Sequence, residues 1–420
     1  MMELSILEAA RTSPDRIAIE AGSRALTFAE CAARAAPPAR AIVATPSLDT
    51  VLAVYAALEA RQPIALLHHR LTAEETDRER ALVERAALPE NTAVILFTSG
   101  STGPSRGVAL SRAALRAAAQ ASADHLGWRD DDRWLLALSL AHAGGLSIVI
   151  RCLAGRRPIM LCERDFDRAH VAALLERCTL ASLVPTQLTA LLDDPAWRPP
   201  ARLRAVLLGG AAAPPTLLAR AAERGVPFLV TYGMTETLGQ LATAPLGRAG
   251  DPDAPLVPLT RVTLGAGTRS APAPITVRAP MLATCYLEGG AIAPAFTTAD
   301  LGYLAGGALH IAGRRDDVII TGGENIHPSA IEAVLAATPH VRAACAFGVA
   351  DERWGQLVGA ALIVDHPAFA LRAALAHWPT RLPPHARPRR IAICTQLPTL
   401  PSGKVDRRAA ATLPSVSVEY

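Results

Sequence analysis

From residue 92 to residue 231, short apolar runs alternate with longer Ala/Leu/Arg stretches of helical period, and this alternation confines the chain to few folds. Strands separated by helices in this way pair in parallel, because each helix carries the chain back across the sheet. Residues 92–97 read as a buried strand, followed by a Gly/Ser/Thr loop and a helix over 112–126. Residues 134–140, 181–184, 204–208 and 227–231 read as further strands, with helices over 167–178, 185–192 and 215–224. The expected architecture is α/β, with mostly parallel sheets flanked by helices.

The last third follows another pattern. Residues 272–312 read as short strands and turns, and Gly313-Arg314-Arg315-Asp316-Asp317 is a charged break. Beyond it come a strand (318–321), a helix (328–337), two strands (341–349 and 357–364), a helix (368–377) and a strand (390–394). A chain of 420 residues exceeds what one core usually serves. We therefore expect a large N-terminal domain over 1–314 and a small α+β C-terminal domain over 315–420.

Composition excludes several classes of function. Half the residues are hydrophobic and 19% are charged, which marks a folded chain. The 42 basic and 38 acidic residues leave +4, too mild a balance to call for a nucleic-acid or membrane-surface partner. Seven cysteines show neither Cys-x-x-Cys nor zinc-ligand spacing, as fits a reduced, cytoplasmic chain. The first residues meet acidic side chains at once and lack an apolar signal core. The longest uncharged run, 134–150, is short for a membrane span and contains His142 and Gly144-Gly145; it reads as buried strand and loop. Pro37-Pro38, Pro199-Pro200 and Pro214-Pro215 mark turns.

Four segments carry chemistry. Thr98, Ser99, Gly100, Ser101, Thr102 and Gly103 follow a strand, with Arg106 near the loop's end. Backbone N–H groups and hydroxyls in such a loop can close round phosphate oxygens, although a plain surface loop has the same composition. Tyr232-Gly233-Met234-Thr235-Glu236 stands at a strand's C-terminal end, where open α/β sheets bind ligands. Glu236 can hold Mg²⁺ there, or Thr235 and Glu236 can simply begin a helix. Asp300, with Arg314 beyond it, can chelate a ribose diol, or can be a turn aspartate. The fourth segment is Pro401-Ser402-Gly403-Lys404. Lys404 is the single lysine among the 42 basic residues. Arginine has taken almost every place where a surface charge suffices, so the surviving ammonium can mark a site that needs a compact, rotatable point charge, or can be an ordinary solvated lysine.

In this order, over nearly the whole chain, the four segments resemble the ANL superfamily of adenylate-forming enzymes, which includes acyl-CoA synthetases, peptide-synthetase adenylation domains and luciferases. Within it, residues 138–147 (LSLAHAGGLS) with Arg151, 181–188 (ASLVPTQL), 207–213 (LLGGAAA) and 231–240 (TYGMTETLGQ) are most similar to the o-succinylbenzoate–CoA ligases of menaquinone synthesis. The resemblance implies ATP, Mg²⁺ and CoA as the small molecules used, with the C-terminal domain a mobile lid. It marks Thr98–Gly103 and Arg106 as the ATP phosphate loop. Gly209, Gly210, Ala211, Tyr232, Gly233 and Met234 would flank adenine and acyl group. Thr235 would contact phosphate, and Glu236 would hold the metal. His142, Gly144, Ser147, Gly210 and Thr235 would line the acid's pocket. Asp300 and Arg314 would hold the ribose, Asp316 would be the hinge, and Lys404 the adenylation lysine, with His142 and Glu236 completing the catalytic set.

Two departures stand out. The family's loop usually ends Pro-Lys-Gly, where this chain has Pro104-Ser105-Arg106-Gly107. These ligases often carry serine where this chain has Gly144. Still open are another aryl- or acyl-acid ligase, an enzyme that loads a carrier protein, and a catalytically silent nucleotide-binding scaffold. A homodimer is compatible with the sequence.

Overall fold

The computed structural model describes residues 3–36, 39–98, 105–365, 369–400 and 405–420. Pro37-Pro38, Ser99, Gly100, Ser101, Thr102, Gly103 and Lys404 lie outside the described residues. The chain forms two compact units. One comprises Met1–Ala213, Leu217–Leu264 and Val277–Phe296, and the other Pro214–Thr216, Gly265–Thr276 and Thr297–Tyr420.

Two sheets build the first unit. In the larger, Phe228–Met234, Ala205–Leu208, Leu180–Leu183, Trp134–Leu136, Ile159–Leu161 and Ile17–Ala21 are successive parallel neighbours. Antiparallel strands close its two sides. Ala205–Leu208 and Leu180–Leu183 are buried along their whole length, as strands covered on both faces must be. Their side chains join Leu135, Leu188, Leu217 and Phe228 in one core. The smaller sheet runs Ala41–Ala44, Ile64–His68 and Thr92–Thr98 in parallel, then turns antiparallel through Arg106–Ser111 to Cys285–Tyr286 and Gly290–Ala291.

The helix Arg112–Leu126 covers the expected residues. Ser111 caps it by accepting from the Ala114 N–H, and Ala114, Leu115, Ala118, Ala119, Ser122 and Leu126 form its buried stripe. Residues 134–150 correct the reading from sequence. The strand ends at Leu136, and Ala143–Gly155 is a buried helix rather than a loop. Gly144-Gly145 hides it, since paired glycines disfavour helix. Gly145 is there for space: a Cβ on it would lie 2.2 Å from the Ser139 carbonyl oxygen.

The second unit holds most of a four-stranded sheet and a complete six-stranded one. In the first, Phe296–Ala305 pairs antiparallel with Ala308–Arg314. In the second, Val341–Asp351 pairs with Gly355–Val364, which also pairs in parallel with Arg390–Cys394. Helix Pro328–Ala336 packs Ile331 and Leu335 with Trp378 on one face, while Ala410 and Leu397 lie with Phe347 on the other. All seven cysteines are free. Among the described residues no helix is long and apolar enough to cross a membrane.

Candidate active site

In the first unit the expected nucleotide-site residues leave the sheets at strand ends. Gly209, Gly210 and Ala211 follow Ala205–Leu208, and the adjacent parallel strand Phe228–Met234 carries Tyr232, Gly233 and Met234. The strand thus runs through Tyr232-Gly233 instead of ending before it, and Thr235–Thr237 is a single 3-10 turn rather than a helix start. Gly233 is held to glycine by contact: a Cβ there would come within 1.6 Å of the Gly239 carbonyl oxygen.

That turn presents Glu236. Its backbone carbonyl accepts from the Ala283 N–H at 2.7 Å, and its Oε1 accepts from the Tyr286 hydroxyl at 2.6 Å. Burial, then the Glu236 charge, push the Tyr286 phenol well above its ordinary value, so it stays a donor. The Arg106 guanidinium lies 3.6 Å over the Tyr286 ring. Arg106, Tyr286 and Glu236 therefore form one chain of contacts, of which the sequence pointed to the first and last. The base of the loop begins at Thr98, whose register partner is Arg106. Ser105, just before Arg106, donates to buried Glu79 and accepts from Arg78, so the helix Ala73–Arg85 holds the downstream end. Among the described residues no three His, Cys, Asp or Glu side chains converge as a metal cage. A lone Glu236 at a strand end fits Mg²⁺, which takes one or two carboxylates and completes its shell with phosphates and water.

His142 occupies the N-terminal position of the helix Ala143–Gly155, and its carbonyl accepts from the Leu146 N–H at 3.0 Å. Gly144 and Ser147 lie in the first turns, where the Ser147 hydroxyl donates to the Gly144 carbonyl at 2.9 Å. The His142 ring packs 4.9 Å from His68, which stacks 4.7 Å on His69. The His68 Nδ1 accepts from the Arg70 N–H, and His69 pairs with Asp165 at 3.2 Å. Burial, then neighbouring His69 and Arg70, bring His68 down from 6.5 to about 4. The unfolded chain thus takes up a proton at His68 that the folded protein refuses, so stability is lost as pH falls from 6.5 towards 4. Urea unfolding at pH 7 and pH 4.5 should show wild type losing about 2 kcal/mol more than His68→Asn, whose Oδ1 can stand in for the Nδ1 acceptor. Equal losses would show that His68 is not the group responsible.

Further along the same helix lies Arg151, buried with 3% of its surface exposed. It sits 5.3 Å over the Trp134 ring, and its Nε has no hydrogen-bond partner among the described residues. Burial brings it down to about 10, so it remains a cation at neutral pH. The described residues give it no carboxylate. A buried charge left in this way is costly unless something anionic arrives.

The second unit holds the remaining assignments. Asp300 and Arg314 are register partners on adjacent strands, so the aspartate lies in a strand and not a turn. Arg314 Nη1 is 3.1 Å from Asp300 Oδ1, and its Nη2 is 3.3 Å from Asp316 Oδ2. One guanidinium thus joins the ribose candidate to the hinge candidate.

A family model described as AMP-binding enzyme matches residues 61–287, and one described as AMP-binding enzyme C-terminal domain matches 330–404. A 2–succinylbenzoate–CoA ligase of Bacillus cereus is 34% identical over 79% of this chain and 72% of its own length. The o-succinylbenzoate CoA synthetase of Bacillus subtilis, solved with an acyl-adenylate intermediate, superposes with a TM-score of 0.86 at 26% identity, covering 98% of this chain and 99% of that one. The same synthetase with ATP and magnesium ion gives 0.83 at 27% identity, covering 96% and 98%.

Proposed function

Because this chain belongs to the AMP-binding enzyme family, we propose that it is a 2-succinylbenzoate–CoA ligase, an AMP-forming acid–thiol ligase working through an acyl-adenylate. The observation that carries the choice of acid is Arg151. 2-Succinylbenzoate has two carboxyl groups, and once one is activated the other remains an anion. A buried cation that has no carboxylate of its own among the described residues supplies the missing partner.

In the first step one carboxylate oxygen attacks the α-phosphorus of ATP, the bond to pyrophosphate breaks, and acyl-AMP forms. Two anions must approach, so the chain has to present positive charge. Lys404 is assigned to the approaching carboxylate and α-phosphate oxygens, and Arg106 with Thr98–Gly103 to the departing phosphates. Glu236, oriented by Tyr286, would hold Mg²⁺, which neutralises phosphate charge when bound. Asp300 and Arg314 are assigned to the ribose. Gly209, Gly210, Ala211, Tyr232, Gly233, Met234 and Thr235 border adenine, phosphate and acyl group at adjoining strand ends. In the second step the thiol of CoA gives up its proton, sulfur attacks the acyl carbon, and AMP leaves. We take residues 315–420 as a lid turning about Asp316 between the steps, withdrawing Lys404.

Purified protein assayed for ATP–pyrophosphate exchange with 2-succinylbenzoate, benzoate, succinate and a medium-chain fatty acid tests the substrate. Exchange should be fastest with 2-succinylbenzoate, and added CoA should turn the adenylate into thioester. Faster exchange with a mono-acid, or transfer only to a carrier-protein thiol, would overturn the proposal.

A further inference from the structure

Val341–Asp351 is an edge strand of the lid sheet, pairing only with Gly355–Val364 among the described residues. Its side chains alternate. Ala346 faces the cluster of Ile331 and Leu335, while Cys345 and Phe347 face that of Ala410. The helix Pro328–Ala336 and the short helix Arg407–Ala411 therefore lie on opposite faces of one strand.

Arg407 spans the edge between them. Its Nη2 is 3.0 Å from Glu332 Oε1 and 3.1 Å from Oε2, and its Nε is 3.5 Å from Asp317 Oδ2. Nη1 is 3.7 Å from Cys345 Sγ. Glu332 Oε1 also accepts the outward Ala346 N–H of the edge strand at 2.9 Å. The chain on either side of 401–404 is fastened as well. Thr399 and Val405 form an antiparallel bridge, and the Asp406 N–H donates to the Pro398 carbonyl at 2.8 Å. Asp406 caps the helix that Arg407 opens, accepting from the Arg408 and Ala409 N–H groups.

We propose that Arg407 is a positioning residue for the adenylation step, anchoring the foot of segment 401–404 to Glu332 and to Asp317 beside the hinge. It does not touch substrate; it acts through Lys404, and so rests on the assignment of Lys404 made above. With Asp317, Glu332 and Arg407 held as one body, Val405 and the helix Arg407–Ala411 turn with the lid, and Lys404, the residue next to Val405, is delivered and withdrawn with them. Misplacing a reacting group by about 1 Å can cost on the order of a hundredfold in rate.

The full-length enzyme as Arg407→Met, Arg407→Lys and Glu332→Gln tests this. For each, kcat and the KM for ATP in pyrophosphate exchange are compared with thioester formation from supplied acyl-adenylate and with Tm. Arg407→Met should lower exchange kcat ~10–100-fold, with ATP KM and the thioester step within about twofold. Arg407→Lys should recover part of the loss, because it keeps the charge but not the fork. Glu332→Gln keeps the acceptor for Ala346 and should show the same split if Arg407→Met does not fold. Parallel loss of both half-reactions, or unchanged exchange, would overturn the positioning role. If Lys404→Ala retained exchange, the lysine assignment would fall instead, whatever Arg407 does.

Discussion

Lys404→Ala should abolish ATP–pyrophosphate exchange while leaving thioester formation from supplied acyl-adenylate close to normal. The first step brings a carboxylate to a polyphosphate, and a cation at the junction favours the transition state over the separated anions. Loss of a preorganised charge of this kind costs about 10²–10³-fold or more in kcat. The second step needs no such bridge, since its nucleophile meets a neutral acyl carbon. Lys404→Arg should also be impaired, by at least ~10-fold. This chain makes that substitution informative: it uses arginine at 41 of its 42 basic positions and keeps lysine at one. Full exchange by the alanine variant would remove the role, and a mild effect of arginine would remove the reason for the lone lysine.

Arg151→Met should lower kcat/KM for 2-succinylbenzoate by roughly 10²–10³-fold, because truncating a buried ion pair leaves the substrate's second carboxylate desolvated and alone. Acids with a single carboxyl group should change by less than about fivefold, as they never engage the guanidinium. Stability supplies an independent check. Among the described residues no carboxylate pairs with the buried Arg151 over Trp134, so an apolar side chain of similar length should leave Tm unchanged or raise it. Uniform loss across all acids with a lowered Tm would mean that Arg151 only packs.

The strand–helix alternation was legible because parallel strands are apolar on both faces, as in Ala205–Leu208, and because capped amphipathic helices such as Arg112–Leu126 announce their bounds. Helix Ala143–Gly155 was not, since Gly145 is selected by a carbonyl that approaches from another segment. For the same reason Arg151 went unread as a site. A cation closing a long uncharged run was the available signal. Tyr286 escaped notice because it sits on the two-residue strand Cys285–Tyr286, and its partner Glu236 lies far away in sequence. Asp300 and Arg314 were found as a pair, yet only the register of Phe296–Ala305 against Ala308–Arg314 makes them neighbours. Arg407 is one arginine among many, and no local pattern marks the one that meets Glu332 and Asp317.

The carboxylate's attack on the α-phosphorus can be followed by isotope. 2-Succinylbenzoate carrying ¹⁸O in its carboxyl groups, turned over with ATP and CoA, should place one labelled oxygen in each AMP released and none in pyrophosphate. Unlabelled AMP, or ADP formed with labelled phosphate, would contradict an acyl-adenylate route.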